Sequence, residues 1–362
     1  MKNCYYIAEI FLPNKSAYST HVIKMCNELS LKFSSTELLL FNIKKNIFFR
    51  TLKKNYILRG KKSFLIKNIF QNHNKINFLK RIIFGYRVAS YLKDKKRSFI
   101  ITRSLISSFF LSLFKISHRT EIHNEIRGLT KFLLINLNFI NSQYVEKVIF
   151  ISSKLSTKFK VKKKIILHDA VDITNFKKPK FKKNLKNVGY LGSFYKGRGI
   201  ELIIELAKKN LNLNFYLIGK DKNFIFDKKL TSNIKVLDHV PYSKVPNLLF
   251  NLDILLMPYQ KNVQINSKSL NTASYCSPLK MFDYLASGKI IISSNLPGIT
   301  EILKDKINSL IVESNNVNQW NNAIKNILKN KALSKKICLN AQKTAINNTW
   351  EKRVDKMILN IE

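Results

Sequence analysis

The stretch Asn187-Val-Gly-Tyr-Leu-Gly192-Ser-Phe-Tyr-Lys196-Gly-Arg198-Gly-Ile-Glu-Leu-Ile-Ile-Glu-Leu-Ala-Lys208 decides the fold class. Asn187–Gly192 reads as a short strand, and Ile200–Lys208 as a helix with Ile200, Ile203, Ile204 and Ala207 on one face. A glycine-rich turn between them opens a strand–helix–strand unit, and the pattern continues downstream. Strands are predicted at Leu213–Gly219, Ile234–Leu237, Ile254–Met257, Ile290–Ser293 and Ser309–Val312. Helices fall at Val245–Phe250, Pro278–Ser287 and Thr300–Leu303, and three more close the chain. Ser277 as N-cap, Pro278 in the first turn and Gly288 past the end bound the helix Pro278–Ser287. Six strands with their crossovers make one doubly wound α/β domain.

Working outward, the first half repeats the alternation less cleanly. Strands are expected at Tyr5–Ile10, Glu37–Ile43, Phe99–Thr102, Thr120–His123, Lys147–Ile151 and Lys164–Leu167, with helices at His21–Leu31 and Ile76–Leu92. The lysine-rich, proline-containing stretch Lys177–Lys186 reads as an exposed linker. The division is therefore an N-terminal domain over 1–176, a linker over 177–186 and a C-terminal domain over 187–347.

Composition sets the outer limits. The 362 residues carry 64 Lys and Arg against 22 Asp and Glu, so 64 − 22 leaves +42 at pH 7, while 45% of the chain is hydrophobic. A disordered polycation is excluded, and the length suits about two domains. The charge calls for an anionic partner, which is a nucleic acid, a lipid surface or a phosphorylated substrate. Abundant Lys, Asn, Ile and Phe also fit the codon bias of an AT-rich genome. Cys4, Cys26, Cys276 and Cys338 are scattered and form no C-x-x-C pair, which fits a reducing cytosol. The opening MKNCYYIAEI is broken by Glu9 before any signal-peptide core forms, and the longest apolar run, Ser104 to Phe114, is too short to span a membrane.

Two stretches carry chemistry. In Gly189–Gly199 the glycines admit a ligand close to the backbone, the following helix presents its amides, and Lys196 and Arg198 add charge. A phosphate site fits, although the same glycines also serve a tight turn. The pattern is neither a Walker loop nor the dinucleotide fingerprint. In Ser277-Pro278-Leu279-Lys280-Met-Phe-Asp283-Tyr-Leu-Ala-Ser-Gly288, Lys280 and Asp283 lie three apart on one helix face. An acid there can accept both hydroxyls of a ribose while Lys280 attracts phosphate; alone, Asp283 reads first as a complement to the helix dipole.

Taken together, Gly192–Gly199, Asp253-Ile-Leu-Leu-Met-Pro-Tyr259, Ser277–Gly288 and Leu296-Pro-Gly-Ile-Thr-Glu301 resemble the C-terminal domain of glycosyltransferase family 4. Pro13-Asn-Lys-Ser-Ala-Tyr-Ser-Thr-His21, Glu121-Ile-His123, His168-Asp-Ala-Val-Asp172 and Trp350 extend the resemblance over essentially the whole chain. The resemblance implies the GT-B fold, two Rossmann-like domains facing each other across a cleft, with the C-terminal helix 348–362 joining the first domain. It also implies a hexosyltransferase-type enzyme that moves a sugar from a nucleoside diphosphate with retention of configuration. On the same basis Asp283 meets the ribose, Lys196 the diphosphate and His123 the transferred sugar, with Glu301 near the donor. Gly192, Ser193, Arg198, Ser277, Pro278, Leu279 and Lys280 complete the expected donor site, with His123 and Lys196 in the catalytic role.

The pattern departs from the family in two places: Tyr275 stands where a first glutamate is usual, and Ser193 where an arginine is. Developing charge on the leaving diphosphate would be met by Lys196, Arg198 and the Ser277–Lys280 helix start. No D-x-D occurs in the sequence, so no metal and no resident cofactor is expected.

From residue 38 to residue 93 there is no carboxylate, while Lys44, Lys45, Arg50, Lys53, Lys54, Lys61 and Lys62 are among the cations that accumulate. Phe48, Phe49, Phe64, Phe70 and Phe78 lie between them, a mixture that suits an anionic membrane. The expectation is a cytoplasmic enzyme, peripheral on the inner face of the membrane, acting on a lipid-linked or saccharide acceptor in bacterial cell-surface polysaccharide synthesis. A basic nucleic-acid-binding protein is the alternative from another class, but no RNP, zinc, helix-turn-helix or KH signature accompanies the charge. A non-catalytic scaffold is the reading that Tyr275 and Asp283 would suit.

Overall fold

The computed structural model describes residues 3–14, 16–43, 49–60, 63–70, 76–95, 97–126, 128–179, 181–219, 232–263 and 271–359. The chain divides into two compact units, Met1–His168 with Arg353–Glu362, and Asp169–Lys352.

The first unit is built on β1 (Asn3–Leu12), β2 (Ser35–Ile43), β3 (Leu65–Asn68), β4 (Ser98–Thr102), β5 (His118–Ile122), β6 (Val145–Phe150) and β7 (Lys164–Ile166). Its helices are α1 (Ala17–Lys32), α2 (Phe49–Tyr56), α3 (Phe78–Leu92), α4 (Leu105–Leu113), α5 (Gly128–Leu137) and the short α6 (Ser153–Ser156). The strands form one parallel sheet in the order β3-β2-β1-β4-β5-β6-β7. Apolar residues cover its faces because helical crossovers bury both sides of a parallel sheet. Leu39 and Phe41 of β2 enter one cluster with Phe70, Phe84 and Val88, where Phe41 and Phe84 stack at 4.7 Å.

The second unit holds β8 (Asn187–Leu191), α7 (Ile200–Lys209), β9 (Asn214–Ile218), β10 (Ile234–Leu237), α8 (Val245–Asn251) and β11 (Ile254–Met257). It continues with α9 (Leu279–Ser287), β12 (Ile290–Ser294), α10 (Pro297–Thr300), β13 (Leu310–Val312), α11 (Val317–Lys329) and α12 (Lys331–Ile346). Its parallel sheet runs β10-β9-β8-β11-β12-β13, the doubly wound order in which direction reverses between β8 and β11. The wholly apolar β11 is explained by its two faces: Ile254 and Leu256 enter one core, Leu255 and Met257 the other.

Several expectations are corrected. The boundary lies at His168/Asp169 and not at 177–186, because Val171 belongs to the core of the second unit and Lys182 pairs with Asp253 at 2.8 Å. The return to the first unit comes at Arg353, inside α13 (Trp350–Ile358), and not at 348. Helix α9 begins one residue later than expected, capped by Pro278, while the Ser277 hydroxyl accepts from the Asp169 amide at 3.3 Å. α10 forms at Pro297–Thr300, three residues before the predicted helix, because Pro297 suits a first helical position. The elements α2, β3, α4 and α5 were not foreseen. Lys44, Lys45, Phe48, Lys61 and Lys62 lie outside the described residues. Phe64 and Phe70 are buried, so they pack the core and are not offered to a lipid surface.

Candidate active site

In the second unit the loops after β8 and β11 meet at the strand-order reversal, where ligands of open α/β sheets bind. The chain leaves β8 through Gly192 (φ 146°), and the Tyr190 hydroxyl pins the turn by donating to the Ser193 carbonyl at 2.8 Å. Gly199 (φ 76°) then opens α7, and a Cβ there would stand 2.0 Å from the Pro258 carbonyl oxygen. That close approach brings Arg198 over the Tyr259 ring at 4.6 Å. From α9, Lys280 reaches over Tyr190 at 3.8 Å and Tyr259 at 4.6 Å.

Two cations thus share one aromatic enclosure, and neither forms an ion pair among the described residues. Lys280 Nζ and Arg198 Nε are buried without a hydrogen-bond partner. Burial, and then repulsion from Arg198, holds the Lys280 ammonium well below the ordinary lysine range. Uncompensated buried charge is costly, so the arrangement suits an incoming anion. Glycine at 192 keeps the approach open, since a Cβ there would lie 3.2 Å from Lys280 Nζ.

Asp283, one turn further along α9, is buried and accepts from the Tyr242 hydroxyl at 2.9 Å. Burial first, and the Asp283 charge second, push the Tyr242 hydroxyl well above its usual range, which keeps it a donor. The Tyr284 hydroxyl accepts from the Leu191 amide at 2.8 Å and ties α9 to the end of β8. Gly298, in α10, allows that turn to lie against the Tyr275–Cys276 backbone, because a Cβ would stand 2.6 Å from the Cys276 carbonyl oxygen.

The first unit has its own polar centre at the carboxyl end of β5. Glu121 accepts from the Tyr6 hydroxyl at 2.5 Å and pairs with Arg353 Nη2 at 2.9 Å. His21 Nε2 lies 3.4 Å and His123 Nε2 3.8 Å from the same carboxylate, with the two imidazole rings edge to face at 4.7 Å. Burial raises the Glu121 pKa, but Arg353, His21 and His123 outweigh it and hold the carboxylate well below its usual range. His123 is pushed down to about 3 by burial and by the nearby Arg103 charge, so at neutral pH it is an uncharged base. The donor atoms of His21, Glu121 and His123 lie within 4.8 Å of one another, close enough to consider a divalent ion. Arg353 and Tyr6 already occupy the carboxylate, and the guanidinium charge opposes a cation there.

Of the expected residues, Gly192, Ser193, Arg198 and Lys280 come together, with Ser277, Pro278 and Leu279 forming the approach to α9 and Asp283 one turn beyond. Lys196 stands exposed outside the packed group, so the cation pair is Arg198 with Lys280. Glu301 caps α10 and is half-buried. Tyr190, Tyr259, Tyr242, Tyr6 and Arg353 were missed, because aromatic walls and long-range ion pairs leave no local spacing signal.

Residues 171–344 match the model of the family described as glycosyl transferases group 1. An uncharacterized glycosyltransferase of Methanocaldococcus jannaschii is 26% identical over 171 residues, covering 46% of this chain and 44% of that protein. The chain therefore aligns with less than half the length of that curated relative. Among solved structures, a glycosyltransferase from Rickettsia africae superposes with a TM-score of 0.73 at 16% identity, over 99% of this chain and 97% of the other. Anabaena HepE in complex with UDP gives 0.72 at 12% identity, over all of both chains. The chain is thus similar to the group 1 glycosyltransferases over residues 171–344 and has the two-domain α/β fold of the GT-B glycosyltransferases.

Proposed function

We propose that this protein is a retaining glycosyltransferase that moves a sugar from a nucleoside diphosphate to a lipid-linked or cell-surface polysaccharide acceptor. The observation that carries the reading is the Arg198–Lys280 pair, its Nε and Nζ atoms buried, held on Tyr190 and Tyr259 beside Gly192 without a counter-charge. Cleavage of a glycosyl–phosphate bond leaves negative charge on the diphosphate, and basic groups fixed in place, Arg198 already charged and Lys280 protonated as the anion binds, stabilise it. Asp283, steadied by Tyr242, is the acid offered to the ribose hydroxyls, and Glu301 is assigned to the donor sugar on family resemblance alone. Lys196, exposed, is assigned to closing on the phosphates. His123, neutral beside ionised Glu121, is a group able to accept a hydrogen bond from a sugar hydroxyl. The diphosphate is met by side-chain cations, with no resident cofactor assigned.

Work at the inner face of a membrane is part of the proposal. Arg50 and Lys54 on α2 are exposed, as are Leu79, Leu129 and Phe132 on α3 and α5, a mixture of cationic and apolar surface that suits anionic lipid. Among the described residues no helix is long and apolar enough to cross a membrane.

The test is donor binding and hydrolysis by the purified chain, beginning with UDP and UDP-sugars. Asp283→Asn is nearly isosteric and should weaken donor binding about tenfold or more while leaving the melting temperature of the unliganded protein within a few degrees. Unchanged affinity in that variant would remove Asp283 from the site. Donor binding without any turnover would favour the scaffold reading.

A further inference from the structure

The first unit has its own strand-order reversal, between β1 and β4, and Arg103 leaves the carboxyl end of β4 at that point. Its amide donates to the Ile7 carbonyl at 2.9 Å, which anchors the residue to β1. Its guanidinium lies over the ring of Tyr18, in the first turn of α1, at 4.0 Å, and Nη1 is buried with no hydrogen-bond partner.

No described carboxylate forms an ion pair with Arg103. Glu9 receives Arg81 Nε at 2.7 Å and Ser104 Oγ at 2.5 Å on its two oxygens. Glu121 is taken by Arg353 and Tyr6. The first turns of α1 and α4, which flank the residue, contain no acid. A guanidinium kept half-buried without a counter-ion is costly to the fold, and its planar fork matches an oxyanion with two hydrogen bonds. Its charge is felt at His123, whose protonation it opposes, so the charge of an anion seated on Arg103 would be felt at that imidazole too.

We propose that Arg103, stacked on Tyr18, is a subsite for a phosphate group of the acceptor. This rests on the reading of the protein as a glycosyltransferase, and it adds that the acceptor is phosphorylated near the hydroxyl that receives the sugar. A polyprenyl phosphate and a phosphorylated saccharide share this chemistry.

The test uses the full chain with isotope-labelled histidine, inorganic phosphate as the probe and the His123 ring resonances as the local reporter. Saturating UDP occupies the second unit, so phosphate binding there does not enter. Phosphate should shift the His123 signals saturably in the native protein. Arg103→Gln should weaken that response about tenfold or more, and Arg103→Lys should restore part of it. Tyr18→Leu, which removes the stack and keeps the charge, should weaken it less, and it serves as the second variant if Arg103→Gln does not fold. An equal response in Arg103→Gln, or none at His123 in the native protein, overturns the subsite. A polyprenyl phosphate in micelles and a sugar phosphate, each competed against inorganic phosphate, separate the two sources, and the one that displaces it at lower concentration is the acceptor class. Failure of UDP to bind, with the His123 response intact, would refute the donor reading and leave the anion site standing.

Discussion

At the residue scale the proposed chemistry depends on basic groups to which the fold gives no counter-charge. Lys280 is the plainest case. Because burial and Arg198 lower its pKa in the free protein, a bound diphosphate must raise it, and the complex therefore takes up a proton. UDP affinity should accordingly fall as pH rises through the interval between the lowered pKa of Lys280 in the free protein and the higher one in the complex, and calorimetry in buffers of different ionisation enthalpy should show that uptake. Lys280→Met preserves the packing on Tyr190 and Tyr259, and it should abolish the uptake and weaken UDP about tenfold or more. Heats independent of buffer in the native protein would place Lys280 outside the site. Legibility at this scale was uneven. Lys280, Asp283 and His123 stand in short motifs that the sequence displays. Tyr242, whose hydroxyl meets Asp283, is 41 residues away from it, and Arg353 is 232 residues from Glu121, so neither pairing had a local signature.

At the scale of elements, the strand–turn–helix from β8 to α7 carries the proposed donor site, and its backbone shape is what positions Arg198. Gly199 combines a left-handed φ of 76° with a Cβ position 2.0 Å from the Pro258 carbonyl oxygen, so a side chain must displace the chain that follows β11. Gly199→Ala should therefore cost about 3 kcal/mol in denaturant unfolding and weaken UDP binding through the displaced Arg198. Stability within 0.5 kcal/mol of the native protein, roughly the range of a neutral surface change, would contradict this account. The strand and helix positions of the second unit were readable because apolar runs of period-free strand and 3.6-period helix alternate there without interruption. α4 and α5 were not, because α4 is apolar with interspersed serines and α5 apolar with scattered polar residues, and neither displays a clear periodic face.

For the molecule as a whole, the net charge of +42 fits either an anionic partner or the codon bias of an AT-rich genome, and the alternatives differ in what they predict. If a membrane is the partner, the chain should float with anionic vesicles and not with neutral ones. Raising salt from 0.1 M to 1 M should release it, as the Debye length contracts from about 10 Å to 3 Å. Arg50→Gln with Lys54→Gln should weaken flotation several-fold while UDP binding is retained. Equal recovery with both vesicle types would refute electrostatic docking, and RNA competing more strongly than anionic vesicles would favour the nucleic-acid alternative. Burial of Phe64 and Phe70 shifts the apolar contribution to residues such as Leu129 and Phe132.

By itself the sequence determined the architecture class of two α/β domains, the glycine turn before α7, the α9 motif and the family they resemble. These are local patterns, set by backbone propensity and hydrophobic period within a few residues. Only the tertiary structure decided that the boundary falls at His168, that Arg198 and not Lys196 faces Lys280, and that Phe64 and Phe70 of the basic segment are core. It also showed that Arg103 lacks a counter-charge where Glu121 has several partners. The physical reason is common to all of these: charge balance and burial are sums over neighbours brought together from distant parts of the chain, and no window of sequence contains them.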